Sequence, residues 1–274
     1  MRPERPDIAA PEFPGRVRWL NASKPPVMGE LTPTGPVLVH FFDFAQLNSV
    51  RTLPYLLEWR RRYEPLGLRV LGIHSPRFPF TGERAALDAG IAALGITHPV
   101  ADDSRYWIWH DYGCEGWPSL FLWARGGTLS WAHFGEGEYR ATEEAIQEEL
   151  LKLDVTVSLP EPMAPIRASD APGQLVAPPT PEHFPGGSPA EPWTPEGGSG
   201  AFELEYEAGG CFVVADGDGR LRASLDGGEP HEIPLGPAAL LPIAEHPRHE
   251  RHSLRLEAEG GVRVWAISFA PGVP

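Results

Sequence analysis

The chain has 274 residues, enough for one large domain or two ordinary ones, and 42% apolar residues supply material for a packed core. Its formal net charge of −14 argues against nucleic acid and anionic membrane surfaces as main partners, since both are met by basic patches. No apolar run approaches the roughly 18 residues that cross a bilayer.

Residues 1–15 are rich in proline and poorly patterned, and read as a loose arm. In Met1-Arg-Pro-Glu-Arg-Pro-Asp7 no apolar core follows the charges, so a signal peptide is not expected. From residue 16 to 153, strand and helix signals alternate. Val37–Phe42 reads as a buried strand, 50–63 as a helix whose polar side carries Arg60, Arg61 and Arg62, and 68–73 as a second buried strand. A helix rich in alanine and leucine is expected over 83–94. An extended segment follows at 96–100, where Pro99 restricts the residue before it. Ser119–Trp123 and 128–134 read as strands joined by a turn at Gly126-Gly127. A helix is expected over 142–153, with Glu143 and Glu144 at its positive end. Strands alternating with helices imply an α/β core with parallel pairing, finished by an antiparallel hairpin.

Composition shifts to Pro, Gly, Ala, Ser and Glu over 155–200, the mark of a semi-extended linker. Over 201–270, short alternating runs at 201–206, 211–215, 221–225, 239–243, 253–257 and 262–269 are separated by turns such as Asp216-Gly-Asp-Gly219 and Asp226-Gly-Gly228. That spacing predicts a small all-β sandwich, jelly-roll-like. The expected organisation is an α/β domain at 16–154, a linker at 155–200 and the β domain at 201–270. Cys114 and Cys211 lie too far apart in sequence to suggest a disulfide framework, and read as reduced thiols of a cytoplasmic protein.

Several short motifs recur in a familiar order: Trp19-Leu20-Asn21, the strand and helix through Leu53-Pro54, Gly72-Ile-His-Ser-Pro76, Thr97-His-Pro-Val100, Trp117-Pro118 and His133-Phe-Gly-Glu-Gly-Glu-Tyr139. On these residues, which cover most of 11–153, the chain resembles the thioredoxin superfamily. Within it the resemblance is to the TlpA-like branch found as the soluble C-terminal part of DipZ-type proteins. Thr180-Pro-Glu-His-Phe184, Ser224-Leu-Asp-Gly227 and His252-Ser-Leu-Arg-Leu256 resemble the carbohydrate-binding-module-like domain attached to such proteins.

The resemblance implies a thioredoxin-like fold and dithiol exchange through a Cys-x-x-Cys motif at a helix N-terminus. Those positions are Gln46 and Ser49 in Gln46-Leu-Asn-Ser49. The chemistry needs a thiolate of lowered pKa and a second thiol to resolve the mixed disulfide. The amide of Gln46 has no such chemistry, and the Ser49 hydroxyl is too weakly acidic without an adjacent base. The carboxylate that many relatives bury beneath the motif maps to His40. Pro118 maps to the superfamily's cis-proline. The backbone before it, Gly116-Trp117, would pair with an extended peptide by β-augmentation.

Other candidates are weaker. Cys114 lies four residues before Pro118, beside Glu115 rather than a cation, so a buried, inert thiol is expected; a single-cysteine reductase or peroxidase is the rival reading. His40 and His74 end neighbouring parallel strands, where α/β folds place ligands, and would form a small polar cluster with Asp43 and Ser49. No Gly-x-Ser-x-Gly elbow surrounds Ser49. His246-x-x-His249-x-x-His252 has a metal-like spacing, but a segment containing Pro247 and entering a strand sends alternate side chains to opposite faces, and a solvated loop is expected. The β-domain aromatics Phe202, Tyr206, Phe212, Trp265 and Phe269 alternate with polar residues as an inward core would, which leaves glycan binding resting on the resemblance. No cofactor and no metal are assigned. The reading is a binding or scaffold protein that holds an unknown peptide or protein partner in a groove of Gln46, Ser49, Gly116, Trp117 and Pro118.

Overall fold

The computed structural model of the chain describes residues 1–2, 7–237 and 239–274. The first strands and helices are β1 (Arg18–Leu20), α1 (Met28–Leu31), β2 (Val37–Phe42), α2 (Leu47–Tyr63), β3 (Arg69–His74), α3 (Arg84–Ala93), β4 (Val100–Asp102), α4 (Trp107–Asp111), β5 (Ser119–Trp123), β6 (Leu129–Phe134) and α5 (Tyr139–Leu153). Their strands form one sheet in the order β1-β4-β3-β2-β5-β6. The β2–β3 and β3–β4 pairs are parallel, while β1, β5 and β6 join antiparallel. All six residues of β2 are buried, as befits a central strand covered on both faces. Alternation sends Val37, Val39 and Phe41 to one face, where they meet Leu71, Ile73, Ala101, Phe121 and Trp109. Leu38, His40 and Phe42 take the other face.

Helix α2 buries Leu53, Leu56, Trp59 and Tyr63, spaced three and four apart, and leaves Glu58 on its polar side to pair with Arg61 and Arg62. Pro54 sits inside this helix on its exposed side. The expected strands and helices are present. Three short elements, β1, α1 and α4, had no counterpart among those expected. The short α4 starts where the Asp103 carboxylate accepts the Ile108 and Trp109 N–H groups at 3.0 and 2.9 Å, a tertiary cap with no periodicity behind it. β4 begins at Val100, later than the extended segment expected from residue 96. Residues 3–6 of the expected loose arm lie outside the described residues. Its described part is not loose: Ile8 and Met1 carbonyls accept the Leu129 and Ala132 N–H groups, and Ala10 donates to Gly127. Pairing of this kind satisfies the open edge of β6.

The chain divides into two compact units, and the division is not a single cut. One unit comprises Met1–Asp43, Asn48–Pro76 and Gly95–Ala164; the other comprises Phe44–Leu47, Arg77–Leu94 and Pro165–Pro274. The second unit is built on β7 (Ser199–Asp216), β8 (Gly219–Leu225), β9 (His231–Ile233), β10 (Leu240–Gly260) and β11 (Arg263–Ala270), one antiparallel sheet in the order β11-β7-β10-β8-β9. This is the all-β module expected, with its strands in one continuous ladder. The runs at 201–206 and 211–215 merge into β7, because Gly209-Gly210 is extended strand rather than a turn. A Cβ on Gly209 would sit 2.6 Å from the backbone of Pro271 and Gly272, so the residue gives room for the chain's end to cross. Both long strands feed a single core of Tyr206, Cys211, Val213, Leu254, Leu256, Ile267 and Phe269.

Residues 165–198, the larger part of the linker expected at 155–200, run along this sheet. Trp193 and Val264 exchange backbone hydrogen bonds at 2.8 and 2.9 Å, as do His183 and Ile267, so the segment covers the β11 edge. The early segment 77–94 belongs to the same unit. Phe80 and Phe78 lie 5.2 and 6.4 Å, ring to ring, from Trp265, and Arg77 pairs with Glu182.

Candidate functional site

The loop from β2 into α2 places the motif positions where a thiolate would gain from the helix dipole. Helix α2 starts at Leu47, directly after Gln46. Gln46 is largely buried and Ser49 is wholly buried. The Ser49 hydroxyl oxygen accepts the Asp43 N–H at 3.3 Å. Ser49 thus closes the β2–α2 turn from inside and offers no groove surface. Both thiols are buried, and burial pushes each well above the ordinary cysteine range. Cys114 lies in the core with Phe41, Trp109 and Phe121.

The Trp117–Pro118 peptide bond is cis. The turn around it is tied down on all sides. The Trp117 indole donates to the Ser75 carbonyl at 2.7 Å and its ring lies 4.5 Å from that of Trp109. The Ser119 hydroxyl donates to the Gly116 carbonyl at 2.7 Å, and Pro118 accepts the Gly135 N–H at 2.8 Å. Gly116 and Trp117 are half-buried, and a Cβ built on Gly116 meets nothing within 4 Å. Of the groove residues read from the sequence, these two are partly accessible, whereas Gln46, Ser49 and Pro118 are buried.

The expected polar cluster splits in two. His74 Nε2 lies 3.9 Å from Asp43 Oδ2, both fully buried, and burial holds the His74 pKa below its usual value while Asp43 and then Asp102 pull it up. His40 belongs elsewhere. Phe42 comes between the two histidines, stacking on His40 at 5.1 Å and meeting His74 edge-on at 5.6 Å. His40 instead neighbours His98, a residue that sequence reasoning did not single out. His40 pairs across the sheet with Gly72, and His98 Nε2 would lie 3.3 Å from a Cβ on that glycine, so the missing side chain makes room for the second imidazole. Neither ring has a hydrogen-bond partner among the described residues. Burial first, and then the charge of His98, lowers the His40 pKa to about 3; burial and Arg60 lower that of His98 to about 4. Both are neutral, inaccessible and structural.

The start of α2 is further clamped by the β6–α5 turn. Arg51 Nε bonds Glu136 Oε1 at 2.6 Å, and Tyr139 stacks on Tyr55 at 3.8 Å. This is what the His133–Tyr139 motif does here: it holds the helix that presents the motif face. In the β unit, Tyr206, Trp265 and Phe269 are buried, so their rings pack the core rather than form a sugar platform. The spaced histidines take a different course from the loop expected: His246 and His252 stack 3.9 Å apart beside Glu250. No helix among the described residues is long and apolar enough to cross a membrane.

Comparison with known proteins adds the wider frame. No family model matches the chain. Protein DipZ of Mycobacterium tuberculosis is 26% identical over 297 aligned positions, covering 95% of this chain and 42% of that protein. The chain therefore spans less than half the length of the curated relatives it matches. NHL repeat-containing protein 2 of Homo sapiens is 28% identical over 132 residues, covering 48% of this chain and 18% of that protein. Among solved structures, a thiol-disulfide isomerase from Corynebacterium glutamicum aligns with a TM-score of 0.44 at 24% identity, over 52% of this chain and 96% of its own. The sheet order of the first unit, its parallel β2–β3 and β3–β4 pairs and its cis Trp117–Pro118 bond are those expected of a thioredoxin-like fold.

Proposed function

We propose that the protein is a thioredoxin-like binding protein that performs no thiol–disulfide exchange at its motif face, and that it holds an extended peptide or protein segment against the Gly116-Trp117-Pro118 turn. One observation carries the reading: the motif positions are Gln46 and Ser49, and the thiols the chain does possess are buried with raised pKa values. A thiol that stays protonated and covered is neither nucleophile nor leaving group. What the frame still offers is a rigid turn beside a sheet, to which an extended chain adds through main-chain hydrogen bonds. The half-buried Gly116, with open space in front of it, supports that use. A single-cysteine enzyme acting through Cys114 is the rival, and the depth of that thiol weighs against it.

The test has two arms. Disulfide and peroxide turnover are measured on the wild type and on Cys114→Ser, with thiol labelling of the native and unfolded chain. No turnover in either protein, and labelling only after unfolding, are expected; activity that Cys114→Ser abolishes would overturn the proposal. In the second arm a photo-crosslinker at the exposed position 115, beside the turn, captures the bound segment in cells. Gly116→Arg, which open space accommodates, should keep its melting temperature and lose the cross-linked partner at least tenfold. Equal capture by wild type and Gly116→Arg would refute the groove.

A further inference from the structure

Strand β10 does not pass residue 245 as a regular strand. Glu245 pairs with Gly210 of β7 and Glu250 with Ala208, so residues 246–249 are thrown out as a bulge opposite Gly209 alone. The chain's end holds the bulge in place, with the His249 N–H donating to the Val273 carbonyl at 2.7 Å. In a regular strand, side chains six residues apart are separated by roughly 20 Å. Here the bulge folds that distance away, and the His246 and His252 rings lie 3.9 Å apart and nearly parallel.

Glu250 completes a cluster. Its Oε2 is 3.6 Å from His252 Nε2, and one donor atom from each of His246, Glu250 and His252 lies within 4.8 Å of the other two. Each imidazole is oriented from behind. Asp226 Oδ2 lies 2.7 Å from His252 Nδ1, and the Tyr206 hydroxyl 2.9 Å from His246 Nε2. With Asp226 on Nδ1, the neutral His252 ring carries its proton there and turns its Nε2 lone pair inward. That nitrogen is buried and has no hydrogen-bond partner among the described residues. A lone pair facing a carboxylate is an arrangement that a cation between them relieves. A carboxylate on the far nitrogen of a metal-binding histidine is also the usual way its ring and tautomer are fixed.

We propose that His246, Glu250 and His252 form a binding site for a divalent cation of the zinc class, with Asp226 as the residue that positions His252. Two imidazoles and a carboxylate are a donor set of zinc centres that keep an open coordination position. Nitrogen donors favour zinc, copper and nickel over magnesium and calcium. Bonds of about 2.0–2.1 Å bring tetrahedral donors to roughly 3.4 Å from one another. The present spacing therefore closes by rotation of side chains on an exposed bulge, without moving the sheet. A bound ion would leave part of its coordination sphere open to solvent or to a donor from a ligand.

The test is calorimetric titration of the full chain with Zn²⁺ alone, and with Mg²⁺ and Ca²⁺ for comparison. One Zn²⁺ per chain is expected, bound at least tenfold more weakly in His246→Ala, His252→Ala and Glu250→Gln. Asp226→Asn should lose 10–100-fold, and His231→Ala nothing. Glu250 is exposed, so its variant remains folded even if a histidine variant does not. Zn²⁺ binding unchanged in Glu250→Gln and His252→Ala would overturn the proposal, as would equal affinity for Mg²⁺ or Ca²⁺. No Zn²⁺ uptake by the wild type would also overturn it and assign the cluster to a proton shared by His252, Asp226 and Glu250.

Discussion

His40 shows what a single residue costs and signals. Both its nitrogens lack hydrogen-bond partners among the described residues, and its side chain is fully buried. Its folded pKa of about 3 lies below the unfolded value of 6.5. The unfolded chain therefore takes up a proton at mildly acidic pH that the folded chain refuses. The resulting stability is fully present above about pH 6.5 and is lost as pH falls toward 3. At pH 5 the loss is on the order of 2 kcal/mol for this residue. His40→Leu exchanges an unpartnered ring for an apolar group of similar size, and should leave stability at pH 7 equal or higher. It should also remove about 2 kcal/mol of the drop between pH 7 and pH 5. Urea midpoints at the two pH values check this, and an unchanged pH slope would refute it. At the same scale, that Gln46 and Ser49 stand at the positions the resemblance assigns to the motif was legible from the sequence alone, because it is a matter of identity at a position. The pairing of His40 with His98 was not. It depends on Gly72 leaving a space across the sheet, and an absent side chain gives no pattern.

Elements with a strong period were read within a few residues: Val37–Phe42, Ser119–Trp123 and helix α2 each carry a core-facing pattern that tertiary packing rewards. Where a glycine pair interrupts a strand, the sequence points to a turn, and β7 runs straight through it. Gly209 is there for the backbone that crosses it. Gly209→Ala should cost about 1–3 kcal/mol in the denaturant midpoint, since the clash is with main chain that cannot rotate away. A substitution neutral within 0.5 kcal/mol would mean that the chain's end moves freely. The same crossing explains the misread histidines. Strand geometry keeps His246 and His252 on one face but roughly 20 Å apart only while register holds, and β10 loses register between Glu245 and Glu250. The candidate site was thus half legible: the residue types and their spacing stood in the sequence, while the bulge that gathers them depends on β7 and on the chain's last residues.

At the scale of the whole chain, the expected cut near residue 155 misses how the units are made. Segment 77–94 lies in the middle of the α/β sequence, yet it belongs to the β unit through Phe78, Phe80 and Trp265. Its helix period is ordinary, and nothing in its own residues names a partner so distant in sequence. Trp265, almost fully buried with its indole donating to Asp216 at 2.8 Å, is the anchor. Trp265→Ala should destabilise the β unit by about 3–5 kcal/mol. It should also speed amide exchange in helix α3, which a mutation confined to an independent C-terminal domain would leave untouched. Hydrogen-exchange mass spectrometry distinguishes the two. The same stitching has a temporal side. A nascent chain delivers Phe78 and Phe80 long before Trp265, and at roughly 5–20 residues per second the wait is on the order of ten seconds or more. Through that interval Phe78 and Phe80 have each other and Phe44 as aromatic neighbours but lack the indole that covers them, so the growing polypeptide must be shielded, or must rest in provisional contacts, until β11 is made.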